Sequence, residues 1–139
     1  MTEHRSLWPR RAGAAILAMH AVIHLVGFLL LWKLAEVGEF TYDTATPTAG
    51  SASGRVIGLF WLLGAVLFAV TAGALAIGSG GWRQFGLVAC IVSTPALVVD
   101  AGDTFAGLAV NLFLAALLFR ARRNDDSFPA VGPKEMELR

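Results

Sequence analysis

The chain has 139 residues, 56% of them hydrophobic and 15% charged, with a formal net charge of +1. A soluble domain of this size carries about 25% charged residues, so the composition excludes an ordinary soluble domain, and the near-zero net charge excludes nucleic acid as a partner. A single cysteine, Cys90, excludes a disulfide framework.

Residues 1–11 form a polar tail in which Arg5, Arg10 and Arg11 lead into an apolar run. A secretory signal peptide opens in the same way. This run is too long for one, holds two histidines and lacks a small-residue cleavage site, so it is read as a span. The first span is expected at 12–32: Gly13 to Trp32 contains no Asp, Glu, Lys or Arg, and a helix crosses a bilayer with about 20 apolar residues. Residues 33–55 make a long outer loop that is amphipathic at Leu34, Val37 and Phe40, lies on the interface there, and is flexible beyond. Spans at 56–77 and 82–99 are separated by Gly78-Ser79-Gly80-Gly81, a strong turn signal. A fourth span is expected at 104–119, after the short Asp100-Ala101-Gly102-Asp103 connection. Residues 120–139 are a charged tail with Pro129 and Pro133, expected to be disordered.

These elements predict an all-α integral membrane fold, an up-down bundle of four transmembrane helices within residues 12–119. Four crossings place both termini on one side. That side holds Arg5, Arg10, Arg11, Arg83, Arg120, Arg122, Arg123, Lys134 and Arg139, against Lys33 and Arg55 on the other. Basic residues stay inside, so the expected setting is the bacterial inner (cytoplasmic) membrane, multi-pass, with both termini cytoplasmic.

Polar residues within the spans carry the functional expectation, because each costs free energy in lipid. His20 and His24 are four apart and share one helix face. Asp103, Gly107 and Asn111 form a similar stripe on the fourth span. At about 1.5 Å of rise per residue, His24 and Asn111 fall at matched depths, and glycines at 27 and 107 would let the first and fourth spans pack closely. Ser93 and Asp100 share a face of the third span, where Pro95 frees the carbonyl of Ile91. The expectation is a polar pocket opening outward, lined by His20, His24, Asp103, Asn111, Asp100 and Ser93, with the first loop over its mouth. Structural readings compete. Asn111 can be an interhelical hydrogen-bond bridge, the histidines can be satisfied by backbone carbonyls, and the two aspartates can be loop carboxylates at a helix start.

Histidine beside a carboxylate suits proton transfer or the holding of a polar ligand. No cofactor is expected; a divalent metal held by His20, His24 and Asp103 is the alternative. Two histidines on one face of one helix cannot sandwich a haem iron, and Ser93 has no triad signature.

His24-Leu25-Val26-Gly27-Phe28, Leu34-Ala35 to Thr41, Gly58-Leu59-Phe60-Trp61-Leu62-Leu63 and the Asp103, Gly107, Asn111 spacing resemble short motifs of a group of small four-span bacterial membrane proteins. The resemblance implies a four-helix fold and points to His24, Asp103 and Asn111. Phe105 and Leu108 stand where that group carries Lys and Thr, so no role of those two carries over. For function, the expected class is a non-catalytic accessory or assembly subunit, with the lipid bilayer and a protein partner or a second copy as partners. The alternative is a site that binds or processes a small apolar molecule or lipid; transport is the third.

Overall fold

The structure, a computed structural model, describes residues 7–99 and 105–126. It is all-helical, with α1 at Leu7–Leu31, α2 at Ala52–Ile77, α3 at Trp82–Val99 and α4 at Phe105–Asp126. Three stretches are long and apolar enough to cross a membrane: Arg10–Leu31, Ala52–Ile77 and Trp82–Val99. The apolar part of α4, Phe105–Arg120, is shorter.

Local chemistry sets the helix ends. Ser51 caps α2: its backbone is extended and its Oγ accepts the N–H of Gly54 at 3.0 Å, satisfying a donor that has no partner within the helix. The helix therefore opens four residues ahead of the expected span. The small, polar sequence Ala52 to Arg55 reads as loop, yet it follows a good cap. α1 and α2 finish with the same device. In α1 the N–H of Leu34 bonds the carbonyl of Leu29 at 2.8 Å and that of Lys33 bonds Leu30 at 3.0 Å. In α2 Ser79 bonds Ala74 at 2.9 Å and Gly78 bonds Leu75 at 3.1 Å. Both are Schellman motifs, which need a left-handed residue after the helix. In α2 that residue is Gly78 (φ 77°); in α1 it is Lys33 (φ 55°), which carries a side chain into a region suited to glycine.

Residues 32–51 are a succession of turns. Val37 and Phe40 exchange backbone bonds, and Glu36 accepts the N–H of Tyr42 at 2.8 Å. Gly50 returns to α1 by donating to the Leu31 carbonyl at 2.9 Å. Trp32 spans the loop's ends, its indole N–H bonding the Arg55 carbonyl at 3.1 Å. At the other end of the chain, α4 runs on to Asp126, so the first residues of the expected disordered tail are helical.

Each helix packs on the next: α1 on α2, α2 on α3, α3 on α4. Partners on α2 fall in number as those on α1 rise: Gly13 meets Leu75, His24 meets Gly64, Gly27 meets Trp61, and Trp32 meets Gly58. The pairs Gly64–Ser93 and Gly86–Thr71 do the same between α2 and α3, and Gly86–Leu118 and Ser93–Asn111 between α3 and α4. The described residues of α1 and α4 do not pack together, which corrects the expected seam between the first and fourth spans. Gly27 instead meets the Trp61 ring, where an added Cβ would lie 2.5 Å from Cδ2.

The buried positions include many small residues beside a few large ones such as Phe68, Trp61 and Leu97. Gly54, Gly58, Gly64, Ala65 and Ala72 on α2 and Gly86, Ala89 and Ala96 on α3 are buried, while Met19 (67%), Ile91 (72%) and Phe113 (63%) are exposed. Small residues inside and large apolar residues outside are the pattern of helices packed in lipid, where close backbone approach supplies the attraction.

Candidate functional site

Two apolar clusters divide the interior. One holds Leu17, Ala21, Phe68, Ala72, Leu75, Ala89, Cys90 and Leu118; the other, toward the 32–51 loop, holds Leu31, Trp61, Ala96 and Leu97, with Ala45 of that loop against it. Apart from Thr71, whose hydroxyl donates to the Leu67 carbonyl, the buried polar residues form two spots on opposite sides of Gly64.

The first spot belongs to α1 and α2. His20 is 6% exposed and His24 is fully buried. Their ring centroids are 4.6 Å apart. Phe68 stands edge-on to His20 at 4.6 Å and tilted to His24 at 5.1 Å, and Trp61 lies 4.9 Å from His24. Nδ1 of His24 is 3.1 Å from the carbonyl oxygen of His20. A carbonyl only accepts, so Nδ1 carries the proton and Nε2 keeps a free lone pair. The Nε2 atoms of both histidines are buried without a hydrogen-bond partner. One of the two histidines is thus satisfied by backbone on one side, as a structural role requires, and left open on the other.

The second spot joins α3 to α4. Asn111, 1% exposed, donates from its amide to the Cys90 carbonyl at 3.0 Å and to the Thr94 hydroxyl oxygen at 3.3 Å. The Ser93 hydroxyl lies 3.4 Å from Asn111 Oδ1 and 3.3 Å from the Cys90 carbonyl. Thr94 donates to that carbonyl at 2.7 Å. Donors thus converge on the Cys90 carbonyl, one residue before Ile91. Asn111 is an interhelical bridge.

Gly64 lets the spots come level. A Cβ there would lie 2.6 Å from Cδ2 of His24 and 3.1 Å from Cβ of Ser93, so only a residue without a side chain fits between imidazole and hydroxymethyl. His24, Ser93 and Asn111 are linked in a row across four helices, through Gly64 and the Ser93–Asn111 contact, and not face to face. Asp100 and Asp103 lie outside the described residues. Among the described residues no group of three or more His, Cys, Asp or Glu could hold a metal. Among the described residues Trp61 lies against His24, and the cluster of Leu31, Trp61, Ala96 and Leu97 occupies the end toward the loop.

Sequence reasoning missed Gly64 as the crossing point, the aromatic walls and the Cys90 carbonyl. The first two had a signal. Trp61, Gly64 and Phe68 recur at i, i+3 and i+7 and so share one helix face.

On the outer surface, α1 and α2 enclose a groove of about 730 Å³ whose walls include Ala14, Ala18, Ala65, Ala69, Gly73 and Ala76. Compared with known proteins, the chain matches no family model, no curated protein and no solved structure.

Proposed function

We propose that this is a multi-pass protein of the bacterial inner membrane, crossing it four times in up-down order with both termini cytoplasmic, and that it works as a non-catalytic accessory or assembly subunit. The observation that carries the membrane reading is the inversion of the surface, with large apolar side chains outward and the histidines, Ser93 and Asn111 inward. The opposed numbering of partners on successive helices supports the up-down order, and nine basic residues against two support the orientation. The accessory role is supported by the apolar outer faces of the helices, which are available to another membrane protein. The groove between α1 and α2 offers small side chains to another protein's membrane helix.

Purification in mild detergent followed by mass spectrometry tests the role. A stoichiometric protein, crosslinked from a photoreactive residue at Ala18 or Ala69, is the expected result; a lone monomer that retains a small molecule refutes it. That second outcome belongs to the alternative, a site for a small apolar molecule or lipid, which the two unpartnered nitrogens favour. Orientation is tested by single cysteines at Asp43 and Ser127 in a Cys90→Ala background. An impermeant thiol reagent on spheroplasts should label position 43 alone, and labelling of position 127 alone would reverse the orientation.

A further inference from the structure

The groove between α1 and α2 has walls of one kind and a mouth of another. Every side chain that lines it is alanine, valine or leucine, and the one remaining residue is Gly73. Those side chains offer no hydrogen bond, so what fills the groove is hydrocarbon. Its volume of about 730 Å³ is that of a ligand site. At about 1.5 Å of rise per residue it runs about 16 Å along α1, from Ala14 to Leu25, and about 21 Å along α2, from Leu62 to Ala76. The hydrocarbon core of a bilayer is about 30 Å thick, so one leaflet is about 15 Å deep. The groove therefore has the depth of a leaflet, and a membrane-crossing helix extends well beyond it.

Charge marks one end. Arg11 precedes Ala15 by four residues and Ala18 by seven, so it continues the α1 wall one turn past the groove. It is exposed. Trp8, 82% exposed, extends the same face by a further turn, and tryptophan at a span's end sits at headgroup level. Across the seam Arg10 donates from Nε and Nη2 to the Leu75 and Ala76 carbonyls at 3.3 Å, beside the α2 wall. Those bonds neutralise the carbonyl end of α2, which otherwise repels an anion. Glu36, Glu39 and Asp43 lie in the loop beyond the other end. A guanidinium pairs with phosphate through two parallel N–H···O bonds, and basic pockets between membrane helices hold anionic lipid headgroups. We infer that the α1–α2 groove binds one anionic phospholipid, its phosphate on Arg11 beside Arg10 and an acyl chain between the alanine walls of the two helices. The inference rests on the membrane reading and not on the accessory role. The lipid occupies the groove of the free chain, and a partner's helix that docks there takes its place.

The test uses the full-length chain alone in phosphatidylcholine nanodiscs. These carry a small fraction of phosphatidylglycerol or phosphatidylcholine with a photoreactive diazirine in its acyl chain. In wild type, phosphatidylglycerol should label residues 14–25 and 62–76 about fivefold more than phosphatidylcholine does, the preference that one arginine confers. Arg11→Gln should bring phosphatidylglycerol down to the phosphatidylcholine level. Gly73→Leu fills the groove without a clash, since a Cβ there meets nothing within 4 Å, and should lower labelling of the walls by both lipids. Equal labelling by the two lipids in wild type overturns the inference. So does labelling spread evenly over outer faces such as those of Met19 and Phe113, or wall labelling that Gly73→Leu leaves unchanged. A chain that does not enter the nanodisc overturns the membrane reading and the site with it. With no other protein in the nanodisc, each result holds whatever the fate of the accessory role.

Discussion

The α1–α2 seam and the α3–α4 seam each bury polar groups at the same level, and they treat them in opposite ways. Asn111 uses its amide and its carbonyl oxygen on α3, where Ser93, Thr94 and the Cys90 carbonyl answer it. His20 and His24 have an aromatic wall and a free nitrogen each. A satisfied buried group contributes modest stability, about 1 kcal/mol, while an unsatisfied one costs about 1–3 kcal/mol. The α3–α4 seam is therefore a joint. The α1–α2 seam keeps the cost of two nitrogens without partners.

The sharpest way to break this contrast is at Gly64, which separates the two spots. Gly64→Val should destabilise by roughly 3 kcal/mol or more, because His24 is walled by Phe68 and Trp61 and cannot withdraw. Unfolding in detergent measures it, and a loss under about 1 kcal/mol would mean that the helices part easily there. Next in size, Asn111→Leu removes the joint and should cost about 1–2 kcal/mol. His20→Leu is its counterpart on the other seam. It should change stability by less than about 1 kcal/mol, since the lost ring nitrogen had no partner; a loss equal to that of Asn111→Leu would erase the distinction. Smallest of all is the coupling between the seams. A double-mutant cycle on His24→Leu and Asn111→Leu should return less than about 0.5 kcal/mol, since the two make no mutual bond.

The helix ends offer a second contrast of the same kind. Lys33 and Gly78 occupy equivalent left-handed positions, so Lys33→Gly should stabilise by about 1 kcal/mol and Gly78→Ala should destabilise by a similar amount. Equal melting temperatures for wild type and Lys33→Gly would show that the Lys33 stem, packed near Gly50, offsets its backbone cost.

Helix number and rough extent were legible because apolar run length and glycine turns are local signals, as at Gly78-Ser79-Gly80-Gly81. Neighbour identity was not. Matched depth ranks residues along the axis and says nothing about order around it, so His24 was paired with α4 when Gly64 and Ser93 stand between. The start of α2 was misjudged for a related reason: four small or polar residues look like loop unless the Ser51 cap is given weight over composition. The tautomer of His24 depends on a carbonyl one turn away, a relation the spacing of four already contained.

The hairpin of α1 and α2 is latched at both ends. Arg10 reaches the Leu75 and Ala76 carbonyls at 3.3 Å, and at the far end Trp32 holds the Arg55 carbonyl while Gly50 holds that of Leu31. Both histidines and both aromatic walls come from these two helices, which end before residue 78. Chains leave the ribosome amino end first, and early units fold while later ones are still being made. The hairpin that carries the histidine pair can thus be latched before α3 and α4 are made, and those helices then pack onto it.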